Sequence, residues 1–279
     1  MRKVLLYYCY CYPEPYDTLP DQVKYCYNLH FYYLEKYKDI FDHIEIILAT
    51  DDMFENDDIL TWYRQKFTSI FGIEKAAIAM IDNNPDFRDA VVYKNFFVKR
   101  MEAYKDDLLF FAQSKGLANV GFDCKPIINI YEWVSSMYYF NLEHFEDKIK
   151  NQLLNDYITY GTLYIKIHNC DKASCLNDYY RFSQTKWIYS GSFQWINVSK
   201  LLDYIKDHDI NLDRLAIMQR FFSEDFLGHI VPDELCGGRK TLEFYDDYKE
   251  ISKHLKDLYT DEEYLEFYNF FNDSIKELV

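Results

Sequence analysis

The chain opens with a stretch that scarcely alternates: in "RKVLLYYCY", residues 2–10, two basic residues lead into an unbroken apolar run. A strand apolar on both faces belongs at the centre of a parallel sheet covered on both sides. Past a loop with Pro13 and Pro15, "DQVKYCYNLHFYYLEKYKDIF" places Val23, Tyr27, Phe31 and Leu34 at helical spacing, and the β-branched "HIEIILAT" then ends in Asp51-Asp52. Strand, helix and strand in this order make a βαβ unit with a right-handed crossover.

The pattern repeats. "NDDILTWYRQKFTSIF" is amphipathic, with Asp57 and Asp58 suited to a helix N-terminus, and "EKAAIAMID" reads as a third strand. A loop and helix follow in "NNPDFRDAVVYKNFFVKRMEAY", then a fourth strand in "DDLLFFAQSKG". From Pro126 to about Leu154 the chain is helical, with Trp133, Met137 and Phe140 at helical spacing. "YITYGTLYIK" and "WIYSGSFQWIN" read as further strands, "SKLLDYIKDHDI" as a helix, and the last forty or so residues as helices with acidic and aromatic faces. The expected fold is therefore α/β, an open sheet flanked by helices over residues 1–235, with a helical C-terminal appendage over residues 236–279.

Composition narrows this picture. With 49% hydrophobic residues the chain can bury a sizeable core, and 8 Gly and 6 Pro leave little room for disordered linkers. The formal charge of −15 repels polyanions, which makes nucleic acid an unfavourable partner unless a local basic groove offsets the field. The 7 Cys are odd in number, scattered and without a CxxC pair, which points to free buried thiols in a reducing cytoplasm rather than disulfides or zinc. The apolar start is short, rich in Tyr, closed by Pro and without a small-residue cleavage site, so it reads as a first strand rather than a signal peptide. No run of about 18 apolar residues suits a membrane span.

In an open α/β sheet, ligands sit beyond the carboxyl ends of the strands, which directs attention to the loops at Asp51-Asp52, Asn83 to Arg88 and Gln113 to Gly116 and to the aromatic strand. In "DNNPDFRD", residues 82–89, Arg88 falls in the first turn of a helix, where a cation opposes the dipole. It is either a clamp for a diphosphate or carboxylate or a structural salt bridge. In "FFAQSKGL", residues 110–117, Lys115 could reach a phosphate while Gly116 lets the backbone approach; the alternative is a solvated loop lysine. In "WIYSGSFQWIN", alternation puts Trp187, Tyr189, Gly191, Phe193, Trp195 and Asn197 on one face, with Ser190 and Ser192 on the other. That is either an aromatic platform for a sugar, with room at Gly191, or an ordinary core strand. In "RFFSEDFLGHIVP", Glu224 and Asp225 are candidate general bases or solvated acids. The chain lacks GxGxxG, GxxxxGK[ST], GxSxG and HExxH, so dinucleotide redox, P-loop hydrolysis, α/β-hydrolase and zincin chemistry lose support.

Four segments in order, "NNPDFRD" (83–89), "LLFFAQSKG" (108–116), "WVSSMYY" (133–139) and "WIYSGSFQWIN" (187–197), resemble a family of bacterial-type glycosyltransferases with a GT-A-like nucleotide-sugar fold. The family pattern runs NNPxLRE, FYAHTKG, a helix with Trp and then MY, and WHYSGTFFWF. Gln113 and Ile188 stand where the pattern carries His, which puts any imidazole role in doubt. The resemblance implies a GT-A-like open Rossmann-type sheet and a cytoplasmic, hexosyltransferase-type enzyme, soluble or peripheral to the membrane, acting in polysaccharide biosynthesis. It would move a sugar from a nucleotide-sugar donor to a hydroxyl of a glycan or lipid-linked acceptor. Asp51, Asp52, Arg88, Lys115 and Gly116 are then the expected donor site. Trp133, Trp187, Tyr189, Ser190, Gly191, Ser192 and Trp195 are the expected sugar or acceptor site, with Glu224 or Asp225 as base. GT-A enzymes usually hold Mn²⁺ or Mg²⁺ on an Asp-x-Asp motif at the end of the fourth strand; here that place reads Gln113-Ser114-Lys115, leaving open whether Lys115 supplies the charge or Asp51 and Asp52 hold a metal. The other readings are a non-catalytic carbohydrate- or nucleotide-binding protein on a degenerate fold and, against the charge, a viral enzyme glycosylating DNA.

Overall fold

The computed structural model describes residues 1–51, 57–84, 86, 88–117, 127–166, 187–189, 191–212, 222–238, 255–256 and 259–278. Its centre is β1 (Arg2–Tyr10), which pairs in parallel with β2 (His43–Thr50) on one side and β4 (Asp107–Gln113) on the other. β3 (Ala76–Asp82) adds in parallel to β2 and forms a half-exposed edge. Beyond β4 come β8 (Gln194–Asn197), antiparallel to its neighbours, then β5 (Thr159–Gly161) and β9 (Cys236–Gly238), giving the order β3-β2-β1-β4-β8-β5-β9. A second sheet pairs β6 (Tyr164–Lys166) with β7 (Trp187–Tyr189).

The unbroken apolar run of β1 has its reason in two cores, one on each face of the sheet. Alternate side chains point to opposite faces of a strand: Leu5, Tyr7 and Cys9 enter one core, while Val4, Leu6 and Tyr8 enter the other. Helices α1 (Asp21–Tyr37) and α2 (Asp57–Phe71) cover the first face with the stripes Val23, Tyr27, Leu34 and Leu60, Tyr63, Phe67. Helix α4 (Ile127–Tyr138) joins them and runs on through π-helical turns into α5 (Lys150–Asn155). The second face carries α3, which starts at Asp89–Val92 and continues through a π turn to Tyr104, with α6 (Val198–Asp207) and α7 (Phe222–Ile230). The C-terminal helix α8 (Asp261–Leu278) inserts Phe267 and Phe271 into the first core, and Phe140 stacks on Tyr259 at 3.6 Å. The fold is thus α/β, an open Rossmann-type sheet with helices on both faces and a helical C-terminus. The sequence boundary at residue 235 falls just before β9, the last strand of the main sheet. The four described cysteines, Cys9, Cys11, Cys26 and Cys236, are free thiols.

Two stretches that read as single strands are each broken in two. "YITYGTLYIK" turns at Thr162-Leu163, where Leu163 has φ 53°, so β5 stays in the main sheet and β6 leaves it. "WIYSGSFQWIN" turns at Gly191-Ser192, with φ 93° and 59°, so β7 belongs to the second sheet and β8 to the first.

A buried hydrogen-bonded chain ties the first core to the end of β4. The Tyr7 and Tyr138 hydroxyls, both buried, lie near one another. Tyr138 lies 2.9 Å from His30 Nδ1, and His30 Nε2 lies 2.8 Å from the Lys115 carbonyl. A carbonyl only accepts, so Nε2 carries the proton and Nδ1 accepts from Tyr138. Burial lowers the His30 pKa to about 4, with the Lys115 carbonyl pulling the other way. The unfolded chain therefore takes up a proton near pH 6.5 that the folded chain refuses until about pH 4, so this residue's stabilisation is complete above 6.5 and is lost as pH falls through that window. The loss approaches ~1.4 kcal/mol per pH unit. Thermal unfolding followed against pH in the wild type and His30→Gln should show a steeper acid decline in the wild type; parallel curves would contradict it.

Candidate functional site

Strand order sets the position of the site. β1 is followed by a crossover to β2 on one side, whereas β3 crosses to β4 on the other, so the chain's direction of winding reverses between β1 and β4. In open α/β sheets the crevice outside the carboxyl ends at such a reversal is where ligands bind. Here the strands are joined past their ends: Ser114 N–H donates to the Tyr8 carbonyl at 2.9 Å, and Tyr10 N–H donates to Ser114 Oγ at 2.9 Å.

At the end of β4 the chain makes a tight turn. Gly116 has φ 94°, and a Cβ there would meet Ile130 and Val134 of α4 at 2.9 and 3.1 Å, so no other residue fits without moving the helix. With the backbone so held, the Lys115 ammonium donates to Glu224 Oε1 at 2.9 Å and lies 5.4 Å from the centre of the Trp133 ring. The same Glu224 oxygen accepts the Gly191 N–H at 3.1 Å. Lys115 is 22% exposed and Glu224 8%, so the pair is largely withdrawn from water.

Behind this pair lies a neutral network around Asp89, the first residue of α3. Its Oδ2 accepts from Gln113 Nε2 at 3.1 Å and from the Ser223 hydroxyl. Gln113 also donates to the Gly191 carbonyl at 3.2 Å, Ser192 and Ser223 share a hydrogen bond of 2.9 Å, and Gln194 donates to the Ser223 carbonyl at 3.1 Å. Burial raises the Asp89 carboxyl above its ordinary range, opposed by Lys115 and the Ser223 bond.

The third group lies at the ends of β1 to β3. Tyr10 OH and Asn83 Nδ2 donate to the two oxygens of Asp51 at 3.1 and 2.9 Å, and Tyr8 OH bonds to Asn83 at 3.2 Å. Arg88 is exposed just before α3 rather than in its first turn, in a backbone conformation of φ 45° and ψ −123°. Such a conformation costs about 1–3 kcal/mol in a non-glycine residue and gathers where function requires it. Burial raises the Tyr10 and Tyr12 hydroxyls, and the charge of Arg88 works the other way.

The expected sites thus divide. Asp51, Arg88, Lys115, Gly116, Trp133, Gly191, Ser192 and Glu224 gather along the carboxyl edge; Asp52 and Ser190 lie outside the described residues. Asp225 turns to the other side of α7, 3.7 Å from His229 and facing Tyr93, at 2% exposure. The single aromatic face is corrected: because the segment turns at Gly191, Trp187 and Tyr189 enter one core and Trp195 the other, each 0% exposed. Their polar atoms are satisfied by backbone carbonyls of Val231, Gly237 and Asn141, as buried Trp and Tyr require. The space expected at Gly191 for a sugar holds Met137, whose Sδ lies 2.5 Å from where a Cβ would be. Asp89, Ser223 and His30 escaped the sequence reading; the one available signal was an acid closing the "NNPDFRD" loop, which spacing alone does not tell from a helix N-terminal residue.

Among the described residues no group of three or more His, Cys, Asp or Glu side chains could hold a metal ion. The groups at the end of β4 do not fit a divalent cation: they are an amide, a hydroxyl and an ammonium, and of the two carboxylates that reach them Glu224 already accepts from the ammonium and Asp89 from the amide and the Ser223 hydroxyl. No helix of the described residues is long and apolar enough to cross a membrane.

No protein-family model and no curated relative matches the chain. Among solved structures, a 4-diphosphocytidyl-2C-methyl-D-erythritol synthase is similar at 11% identity over 89% of this chain and 91% of that one, with a TM-score of 0.34. A second synthase of that name, from Anaerococcus prevotii DSM 20548, is similar at 11% identity over 97% and 96%, with a TM-score of 0.37. These scores are too low to transfer an activity.

Gly191→Ala places a side chain at φ 93° against Met137 and is expected to cost roughly 1–3 kcal/mol. Urea unfolding would measure it, and an unchanged midpoint would mean that the turn is not held as described.

Proposed function

We propose that this protein is a nucleotide-sugar-dependent glycosyltransferase, and the observation that carries the reading is the Lys115 ammonium, held at the carboxyl end of β4 where the sheet reverses its winding. Each of the ordered motifs that resemble glycosyltransferases reaches the network around that point: "NNPDFRD" contributes Asp89, "LLFFAQSKG" Gln113 and Lys115, "WVSSMYY" Trp133, and "WIYSGSFQWIN" Gly191 and Ser192.

Each group has a task in such a transfer. Asp51, exposed and oriented by Tyr10 and Asn83, suits the hydroxyls of a ribose. Departure of a nucleoside diphosphate leaves charge on the phosphates, and donors aimed at developing charge are the largest source of rate enhancement. Lys115 and Arg88 supply that charge. Lys115 takes the place a metal would hold, so the reaction does not depend on Mn²⁺ or Mg²⁺. The acceptor is a hydroxyl of a glycan or of a lipid-linked glycan. A second reading, nucleotide or carbohydrate binding without turnover, draws on the fact that Lys115 is already matched by Glu224 and that Gln113 and Ile188 replace His.

Thermal unfolding against UDP-glucose, UDP-galactose, UDP-N-acetylglucosamine and GDP-mannose, each in EDTA and in Mn²⁺ or Mg²⁺, tests the reading. A donor at about 100 times its Kd adds roughly 2.7 kcal/mol, and the shift should be selective for one donor and persist in EDTA. Lys115→Met alone leaves Glu224 buried without its cation, so the fold control is the double variant Lys115→Met/Glu224→Gln, which removes both charges together. That variant should unfold cooperatively and lose the donor shift; if it keeps the shift, Lys115 is not the phosphate site. Donor hydrolysis then separates the enzyme from the binder.

A further inference from the structure

We propose that Asp89 is the catalytic base of this transfer and that Glu224 is a positioning residue that holds Lys115; the inference rests on the transferase reading above. A base needs an oxygen that the acceptor hydroxyl can reach without first displacing a cation. Glu224 is committed elsewhere: through Oε1 it pairs with the Lys115 ammonium at 2.9 Å and accepts the Gly191 N–H at 3.1 Å, so a proton taken by this carboxylate would leave the largely buried ammonium without its anion. Asp225 lies on the far side of α7, toward Tyr93 and His229.

Asp89 meets the requirement by position. It is half-buried at the start of α3, in the same crevice as Lys115. Its Oδ2 is fixed by two neutral donors from two different elements, Gln113 on β4 and Ser223 on α7. That anchoring sets the plane of the carboxylate, and among the described residues no other side chain donates to Oδ1. The charged and titratable groups that face it are Lys115 from the β4 turn, Glu224 from α7 and Tyr8 from β1. Burial raises its carboxyl, which strengthens it as a proton acceptor near neutral pH.

In the step, the acceptor oxygen attacks C1 of the donor sugar. The new C–O bond forms as the bond from C1 to the phosphate oxygen breaks, the electron pair leaves with the nucleoside diphosphate, and the acceptor proton passes to Asp89 Oδ1. A single displacement inverts the anomeric centre.

The test uses the full chain, the four nucleotide sugars named above with water as acceptor, UDP and GDP as binding probes, and the variants Asp89→Asn and Glu224→Gln. Asn keeps an oxygen for Gln113 and Ser223 and removes a buried charge, so Asp89→Asn should melt no lower than the wild type. It should bind the nucleoside diphosphate within about threefold of the wild type while kcat for donor hydrolysis falls by at least ~100-fold. The acid limb of the wild-type kcat profile, active above the raised Asp89 pKa, should be absent in Asp89→Asn and present in Glu224→Gln, there on a lowered kcat because Lys115 has lost its anion, and NMR should show the inverted sugar. A kcat for Asp89→Asn within threefold of wild type, a surviving acid limb, or a retained anomer overturns the assignment. A wild type that binds UDP or GDP but hydrolyses none of the donors overturns Asp89 as a base while leaving the nucleotide site standing. One that binds neither overturns the transferase reading itself.

Discussion

A lysine ammonium only 22% exposed must have an anion beside it, and the carboxyl edge of this protein is arranged around that requirement. Glu224 provides the anion from the first turn of α7, and so fixes how α7 approaches β4. The Gly191 amide donates to the same oxygen, which requires the turn between β7 and β8 to bring its backbone rather than a side chain to this point. Trp133 lies beside the ammonium, and Met137, one helical turn on, fills the space beside Gly191. The lysine's own backbone is fixed from the opposite face by the His30 hydrogen bond and by the glycine that follows. One charge thus connects α1, α4, α7 and two strands.

Much of the fold was legible because its elements are long and strictly periodic. β1, α1, β2, α2, β3 and β4 follow from an apolar run, a helical stripe or a β-branched segment, and their alternation explains a core on each face. The twin breaks were not legible for a physical reason. A period of two continues unchanged through a two-residue turn when both flanking segments are aromatic, so "WIYSGSFQWIN" reads as one strand although Gly191 and Ser192, both with positive φ, divide it between two sheets. The same turn converts an expected sugar platform into core packing.

The site was legible in its charges but not in its pairings. Lys115, Arg88 and Glu224 stood out as charged residues in unusual surroundings, yet nothing in their spacing shows that a residue more than one hundred positions away neutralises Lys115. Asp89 was hidden for the opposite reason. An acid at the start of a helix is favourable to any helix through the dipole, so only the three-dimensional neighbourhood of Gln113 and Ser223 separates this carboxylate from a merely local one.

The charge balance of the crevice follows from the same arrangement. Lys115 and Arg88 are set against Asp51, Asp89 and Glu224, so before any ligand arrives the crevice is not a basic patch, in keeping with a chain of net charge −15. At physiological ionic strength the field of distant carboxylates is screened within about 8 Å, and what an incoming diphosphate meets is the local set. An ammonium carries three donors, so a phosphate can accept one of them while Glu224 keeps another, and the buried pair stays matched throughout. The cost of desolvating Lys115 has then already been met by folding, which is the sense in which a charge held ready in the ligand-free protein stabilises charge that develops later.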